Sequence, residues 1–156
     1  MGQTSKTGSR TAVQIAEDAP KPLGAYSHAV IAGDLVFVAG QGARKARTGK
    51  EAGVVLDHHQ EVVAYDISVQ TRAVIKNLKT VLAASSCTLE DVVDVTVFLK
   101  DMKDFDEYNK VYGEFFSFAN PPARTTVQVA GLPGKNYIEI KAIAYRARER
   151  EEREKE

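Results

Sequence analysis

Apolar positions along this chain alternate between a period of two and a period near 3.6, and the switches mark strands and helices in turn. Ala29-Val30-Ile31 and the run from Leu35 to Gly40 flank a Gly33-Asp34 turn, which predicts a β-hairpin. Ile67, Thr71, Val74, Ile75, Leu78, Val81 and Leu82 recur on one stripe while Arg72, Lys76 and Lys79 fall elsewhere, which predicts an amphipathic helix from about Ile67 to Ala84. Thr88-Leu89-Glu90-Asp91 resembles a capping box and leads into a strand from Val92 to Lys100. Asp104, with Glu107 three residues on, repeats that arrangement ahead of a second helix, whose Phe105, Tyr108, Tyr112, Phe115 and Phe116 form another apolar stripe. Pro121-Pro122 then stops helical structure, and two strands follow, Arg124 to Ala130 and Tyr137 to Tyr145.

The order strand, strand, helix, strand, helix, strand, strand predicts an α+β fold, with two helices covering one face of a single sheet of roughly five or six strands. In the last strand Ile138, Ile140, Ala142 and Ala144 point one way and Tyr137, Glu139, Lys141, Ile143 and Tyr145 the other. The uncovered face is therefore mixed rather than polar, and suits burial against other copies of the chain.

The 156 residues suit one domain. Residues 1–12 read as a disordered leader, 13–146 as the folded domain and 147–156 as a charged tail. The MGQTSK opening satisfies the loose N-myristoylation pattern, but a frayed leader is the preferred reading. Equal counts of 21 basic and 21 acidic residues leave no excess charge to attract phosphates, so nucleic acid is not the expected partner. Neither a signal segment nor a long apolar run appears, and the single Cys87 has no partner for a disulfide, which together predict a cytoplasmic protein with no membrane association.

Alternation along Arg124-Thr125-Thr126-Val127-Gln128 puts Arg124, Thr126 and Gln128 on one side. An arginine fixed at the start of a strand offers a planar fork for a carboxylate, the alternative being an ordinary surface ion pair. Glu139, on the non-core side of the last strand, is expected to face Arg124, either as a structural partner or as the group that moves a proton on water. Gly40-Gln41-Gly42 ends a strand where backbone N–H groups can hold an anionic oxygen, or where the chain merely turns. No phosphate-binding glycine motif follows a strand. His58 and His59 are expected to point apart, and with His28 they match no metal-ligand spacing. Cys87, between helix and strand, reads as a packing residue.

Pro122-Ala123-Arg124-Thr125-Thr126-Val127-Gln128-Val129-Ala130-Gly131-Leu132-Pro133 followed by Ile138-Glu139-Ile140-Lys141-Ala142-Ile143-Ala144 resembles the signature of the RidA (YjgF-type) family of reactive-intermediate deaminases. Ala19 to Ala29 looks like that family's opening strand, Val38-Ala39-Gly40-Gln41 its glycine turn, and Asp104-Phe105 to Asn109-Lys110-Val111-Tyr112 continues the match. The resemblance covers about residues 18 to 146 in order. It implies a chorismate-mutase-like fold and a homotrimer with a central barrel and clefts between subunits. It also implies hydrolysis of carboxylate-bearing enamines and imines with release of ammonia, without metal or organic cofactor. By the same resemblance Arg124 matches the arginine that grips the substrate carboxylate and Glu139 the glutamate that orients water. Tyr26, Gly40 and Asn109 match positions that line the cleft, and Thr126 is counted with them.

Two positions depart from the family's pattern: Ala39 stands where serine is frequent and Thr126 where cysteine is frequent. The stretch from Gly49 to Asp66 looks like the longer loop of 2-aminomuconate deaminases, which makes a dicarboxylate of that kind the leading specific substrate. Arg44, Lys45, Arg47 and Lys50 nearby are candidates to attract a second carboxylate, or are simply solvated. The runner-up function is a non-catalytic ligand-binding or regulatory trimer. An RNA-acting member of the same family is a third reading that the neutral charge fits poorly.

Overall fold

The computed structural model describes residues 10–147. It contains eight strands and two α-helices: β1 (Thr11–Val13), β2 (Ala29–Ala32), β3 (Leu35–Gln41), β4 (Val54–Leu56), β5 (Val62–Tyr65), α1 (Ile67–Ala84), β6 (Val92–Leu99), α2 (Phe105–Phe115), β7 (Ala123–Gln128) and β8 (Ile138–Tyr145). Six strands form one sheet in the order β1-β2-β3-β8-β6-β7, while β4 and β5 pair with each other as a separate hairpin. All neighbours in the main sheet are antiparallel except β6 and β7, which run parallel and are connected through α2. A parallel pair cannot be closed by a tight turn, so the intervening segment crosses over a face of the sheet.

Helix α1 has the bounds that its apolar stripe predicts. Asp66 starts it by accepting hydrogen bonds from the backbone N–H of Ser68 and Val69, at 2.9 and 3.2 Å. It stops without a glycine: Ser86 adopts a left-handed backbone with φ 59°, and the Cys87 N–H returns to the Leu82 carbonyl at 2.8 Å. Cys87 and Leu82 are both in the core, so this cysteine packs as the sequence predicts. Val74, Ile75, Leu78, Val81 and Leu82 of α1 meet Val36, Val38, Val95, Val97, Ile140 and Ala142 of the sheet, all buried. Full burial of a Val, Leu or Ile side chain contributes roughly 1.5–3 kcal/mol, so this helix–sheet seam is the main cohesive term.

Five sequence expectations are corrected. Residues 19–28, expected as an opening strand, run without strand structure until Ala29 begins β2. Their local order comes instead from buried His28, which bonds the Pro20 carbonyl at 2.9 Å and accepts the Ile15 N–H at 3.1 Å. Asp104 does not cap α2 with its side chain; it accepts the Tyr65 hydroxyl at 2.8 Å, which docks the β4–β5 hairpin. His58 and His59 sit in the turn of that hairpin with ring centroids 3.8 Å apart, because a turn, unlike a strand, does not alternate its side chains. The segment Gly49 to Asp66, read as a loop, contains the hairpin itself. Strand β1 begins at Thr11, within the stretch read as leader, while residues 1–9 and 148–156 lie outside the described residues. No described helix is long and apolar enough to cross a membrane.

Beneath the apolar seam lies a set of buried amides. Gln70, fully buried, donates to the carbonyls of Ala52 and Lys135 at 3.0 and 2.9 Å and accepts the Tyr137 N–H at 2.8 Å. Asn77 donates to the carbonyls of Gly42 and Arg44, and Asn136 accepts the Ala43 N–H at 2.7 Å while donating to the Pro133 carbonyl. These loops carry backbone groups that no strand satisfies, and a buried unpaired group is expensive. Replacing Gln70 by Leu orphans two carbonyls and an N–H at about 1–3 kcal/mol each, so urea unfolding is expected to show a loss of about 3 kcal/mol or more. A loss below about 1 kcal/mol would mean that water substitutes for the amide.

Candidate active site

The strand register decides where the candidate residues point. On β6, Val95 and Val97 are buried against the helices, and they lie opposite Arg124 and Thr126 of β7. Phe98 lies opposite Glu139 of β8, on the other face. Residues directly opposite in a ladder share a face, and successive residues alternate. Arg124 and Glu139 of one chain are therefore on opposite faces of the sheet, which corrects the expectation that they face each other.

On the helix side, α2 lays a row of aromatic rings against the edge strand β7. The Arg124 guanidinium carbon lies 4.6 Å from the ring centroid of Tyr112, 5.5 Å from that of Tyr108 and 5.9 Å from that of Phe105. Ring faces carry negative potential and attract the cation while leaving its N–H donors to other acceptors. No carboxylate among the described residues pairs with this guanidinium. The Tyr108 hydroxyl is hydrogen bonded to Thr126 Oγ1. Burial pushes Tyr112 up to about 12, with the nearby Arg124 charge pulling the other way. Tyr108 is also raised by burial, against the opposing effects of its Thr126 bond and Arg124. Asn109, next along α2, is half-buried. Gln128, third on the same side of β7, accepts the Met102 N–H at 2.7 Å and so fixes the strand end rather than a ligand.

On the open side, Glu139 lies across Gly40. A Cβ at Gly40 would stand 2.6 Å from Glu139 Oε2, so any side chain there pushes the carboxylate aside. The β3–β8 pairing shifts register between Val38 and Gln41, and this irregularity is what turns Gly40 under the carboxylate. Half-burial raises the Glu139 pKa above its ordinary value, and Lys141, two residues on, opposes the shift. Tyr26, 46% exposed, accepts the Leu23 N–H through its hydroxyl at 2.8 Å. It lines a cleft of about 870 Å³ with Ala39, Phe37 and Lys141, and a small cavity of about 30 Å³ with His28, Gly40 and Arg44. Neither space reaches Arg124.

The structure thus groups the candidates into two half-sites: Arg124 and Thr126 under α2, and Tyr26, Gly40 and Glu139 on the open face. Phe105, Tyr108 and Tyr112 escaped the sequence reading as site residues because tyrosines at helical spacing read as core. The signal that could have found them is the polar alternation of β7 facing an aromatic stripe. Among the described residues no three His, Cys, Asp or Glu side chains gather as a metal-ligand set.

A raised Glu139 pKa means that the folded chain holds the proton more tightly than the unfolded chain, whose value is near 4.5. Glu139 therefore adds stability at low pH, and that contribution is lost as pH rises through its folded pKa. Glu139→Gln is expected to gain stability relative to wild type between about pH 4 and pH 7 in paired urea titrations. A stability gap that stays flat over that range would show the carboxylate to be well solvated.

The family model described as Endoribonuclease L-PSP matches residues 16–146. A RutC family protein of Pyrococcus horikoshii is 46% identical over 130 residues, covering 83% of this chain and 94% of its own. The 2-iminobutanoate/2-iminopropanoate deaminase of Salmonella typhimurium is 38% identical over 132 residues, covering 83% of this chain and 94% of its own. A crystal structure from Thermotoga maritima, 38% identical, superposes with a TM-score of 0.75 over 88% of this chain and 98% of its own. With motif, topology and overall identity in agreement, the chain belongs to the Endoribonuclease L-PSP family, the RidA/YjgF family that its sequence resembles.

Proposed function

We propose that this chain is a hydrolytic deaminase of small carboxylate-bearing imines and enamines, acting at a site completed between two copies. The observation that carries the reading is a guanidinium held on aromatic rings without a carboxylate partner, in a chain that also holds a half-buried glutamate with a raised pKa. The first is a receptor for an organic acid. The second is a carboxyl group that burial makes a better proton acceptor than an ordinary glutamate, placed to take a proton and return it. The Salmonella relative, named for deamination of 2-iminobutanoate and 2-iminopropanoate, supports the same substrate class.

In this reading an enamine first tautomerises to its imine, with Arg124 binding the carboxylate. Water adds to the C=N carbon as Glu139 takes one of its protons and passes it to the imine nitrogen, which gives a carbinolamine. Glu139 then carries the carbinolamine's hydroxyl proton to the same nitrogen, the C–N bond breaks as the C=O bond forms, and a 2-oxo acid and ammonia leave. Tyr26, Gly40, Asn109 and Thr126 line the pocket. Because the sheet separates Arg124 from Glu139 within one chain, the pocket takes the arginine half from one copy and the glutamate half from its neighbour. The open face exposes Leu35, Phe37, Val127 and Tyr145, apolar surface suited to the barrel of a homotrimer.

The basic loop bears on the finer question of a 2-aminomuconate-like substrate. Of its cations, Arg44 borders both the small cavity beside Tyr26 and Gly40 and the cleft beside α1, whereas Lys45 and Arg47 border the second cleft and not the first. Arg44 is thus the candidate for a second carboxylate. The ribonuclease in the family's description is disfavoured here by the absence of excess positive charge.

The test follows ammonia release from 2-iminopropanoate and from 2-aminomuconate, each generated in situ. Arg124→Ala is expected to lose most of kcat/KM through KM, and Glu139→Gln to lower kcat by roughly 10²–10⁴. Coexpressing these two impaired variants in equal amounts is expected to restore about a quarter of the sites, since each shared site then has that chance of drawing both intact residues. No recovery in the mixture would place both residues' work within one chain. Carboxylate binding without ammonia release by wild type would favour the non-catalytic binding trimer.

A further inference from the structure

Arg124 and Thr126 are two residues apart on one strand face, roughly 7 Å along β7, and one side chain touches both. That side chain is Tyr108, with no exposed surface. Its ring centroid lies 5.5 Å from the Arg124 guanidinium carbon and its hydroxyl bonds Thr126 Oγ1. We propose that Tyr108 is a positioning residue that sets Arg124 and Thr126 as a pair of donors converging on one carboxylate. The assignment rests on the deaminase reading only for what that carboxylate belongs to.

The direction of the hydroxyl bond follows from acidity. A phenol, with an ordinary pKa near 10, is a far better donor than an aliphatic alcohol, so Tyr108 donates and Thr126 accepts. Thr126 keeps its own O–H, and Thr126 is the half-exposed member of the pair while Tyr108 is sealed. The remaining donor therefore belongs to the member of the pair that a ligand can reach. Accepting one hydrogen bond polarises a hydroxyl and strengthens the one it donates. Arg124, whose attraction to the aromatic rings leaves its N–H groups uncommitted, lies on the same face. Two kinds of donor, one charged and one neutral, thus share a single template on α2. Tyr112 and Phe105 supply further ring surface for the guanidinium, but only Tyr108 reaches the threonine as well.

The experiment measures equilibrium binding of 2-oxobutanoate, the 2-oxo acid expected as a product, by titration calorimetry, so that it does not depend on turnover. Wild type, Tyr108→Phe, Thr126→Val, Thr126→Ser and the double variant Tyr108→Phe/Thr126→Val are compared. Each of the first and second substitutions is expected to weaken binding about five-fold, the usual effect of one neutral hydrogen bond, with Thr126→Ser close to wild type. The double variant is expected to bind no more weakly than Thr126→Val alone, because Tyr108 acts through Thr126. In turnover assays Tyr108→Phe is expected to raise KM with little change in kcat. Multiplying losses in the double variant, wild-type affinity in Tyr108→Phe, or no carboxylate binding by wild type would each overturn the proposal. Should Tyr108→Phe fail to fold by thermal unfolding, the contrast between Thr126→Val and Thr126→Ser decides, equal weakening in both overturning it. Wild type that binds 2-oxobutanoate in this pattern but releases no ammonia would sink the deaminase reading and support this one.

Discussion

The arrangement depends first on three buried amides. Gln70 and Asn77, held on α1, and Asn136, in the segment between β7 and β8, satisfy backbone groups of two loops. The apolar seam between α1 and the sheet would tolerate small slides, since hydrophobic attraction has no direction. Hydrogen bonds do have direction, and those of Gln70 end at Tyr137, two residues before Glu139. The glutamate's place over Gly40 is thereby referred back to the axis of α1. The second helix serves β7 in the same manner, but through ring faces rather than amides.

Within one chain the two charged groups that matter never meet. Strand alternation sends the guanidinium under α2 and the carboxylate to the open face, and neither neutralises the other. Had they paired intramolecularly, each would have satisfied the other and neither would serve a substrate. Their separation keeps both groups available, and an assembly that stacks one copy's open face near a neighbour's β7 edge brings them together without a backbone rearrangement.

Much of this was legible beforehand. The bounds of α1 follow from its apolar stripe, and β8 shows its two faces through Ile138, Ile140 and Ala142 against Glu139 and Lys141. Where reading failed, the reasons are local. Alternation along β7 separates Arg124 and Thr126 from Thr125 and Val127 but does not tell which side meets the helices; it is the Arg124 side, covered by aromatic rings rather than aliphatic chains. The β4–β5 hairpin has strands of only three and four residues, and its turn places Gln60, not glycine, at φ 63°, so neither periodicity nor turn chemistry announced it. Asp104 carries the spacing of a cap but is taken by Tyr65, a partner 39 residues away that local pattern cannot supply. The site residues themselves came from motif resemblance; which face each occupies came only from register.

The sheet that stands between Arg124 and Glu139 also acts as an insulator in time. On the proposed assembly a newly folded chain holds a finished acid receptor and a finished proton carrier, yet it is inert while solitary. Chemistry then begins at a threshold of chain concentration and not of substrate, so dilution would silence the protein without unfolding it.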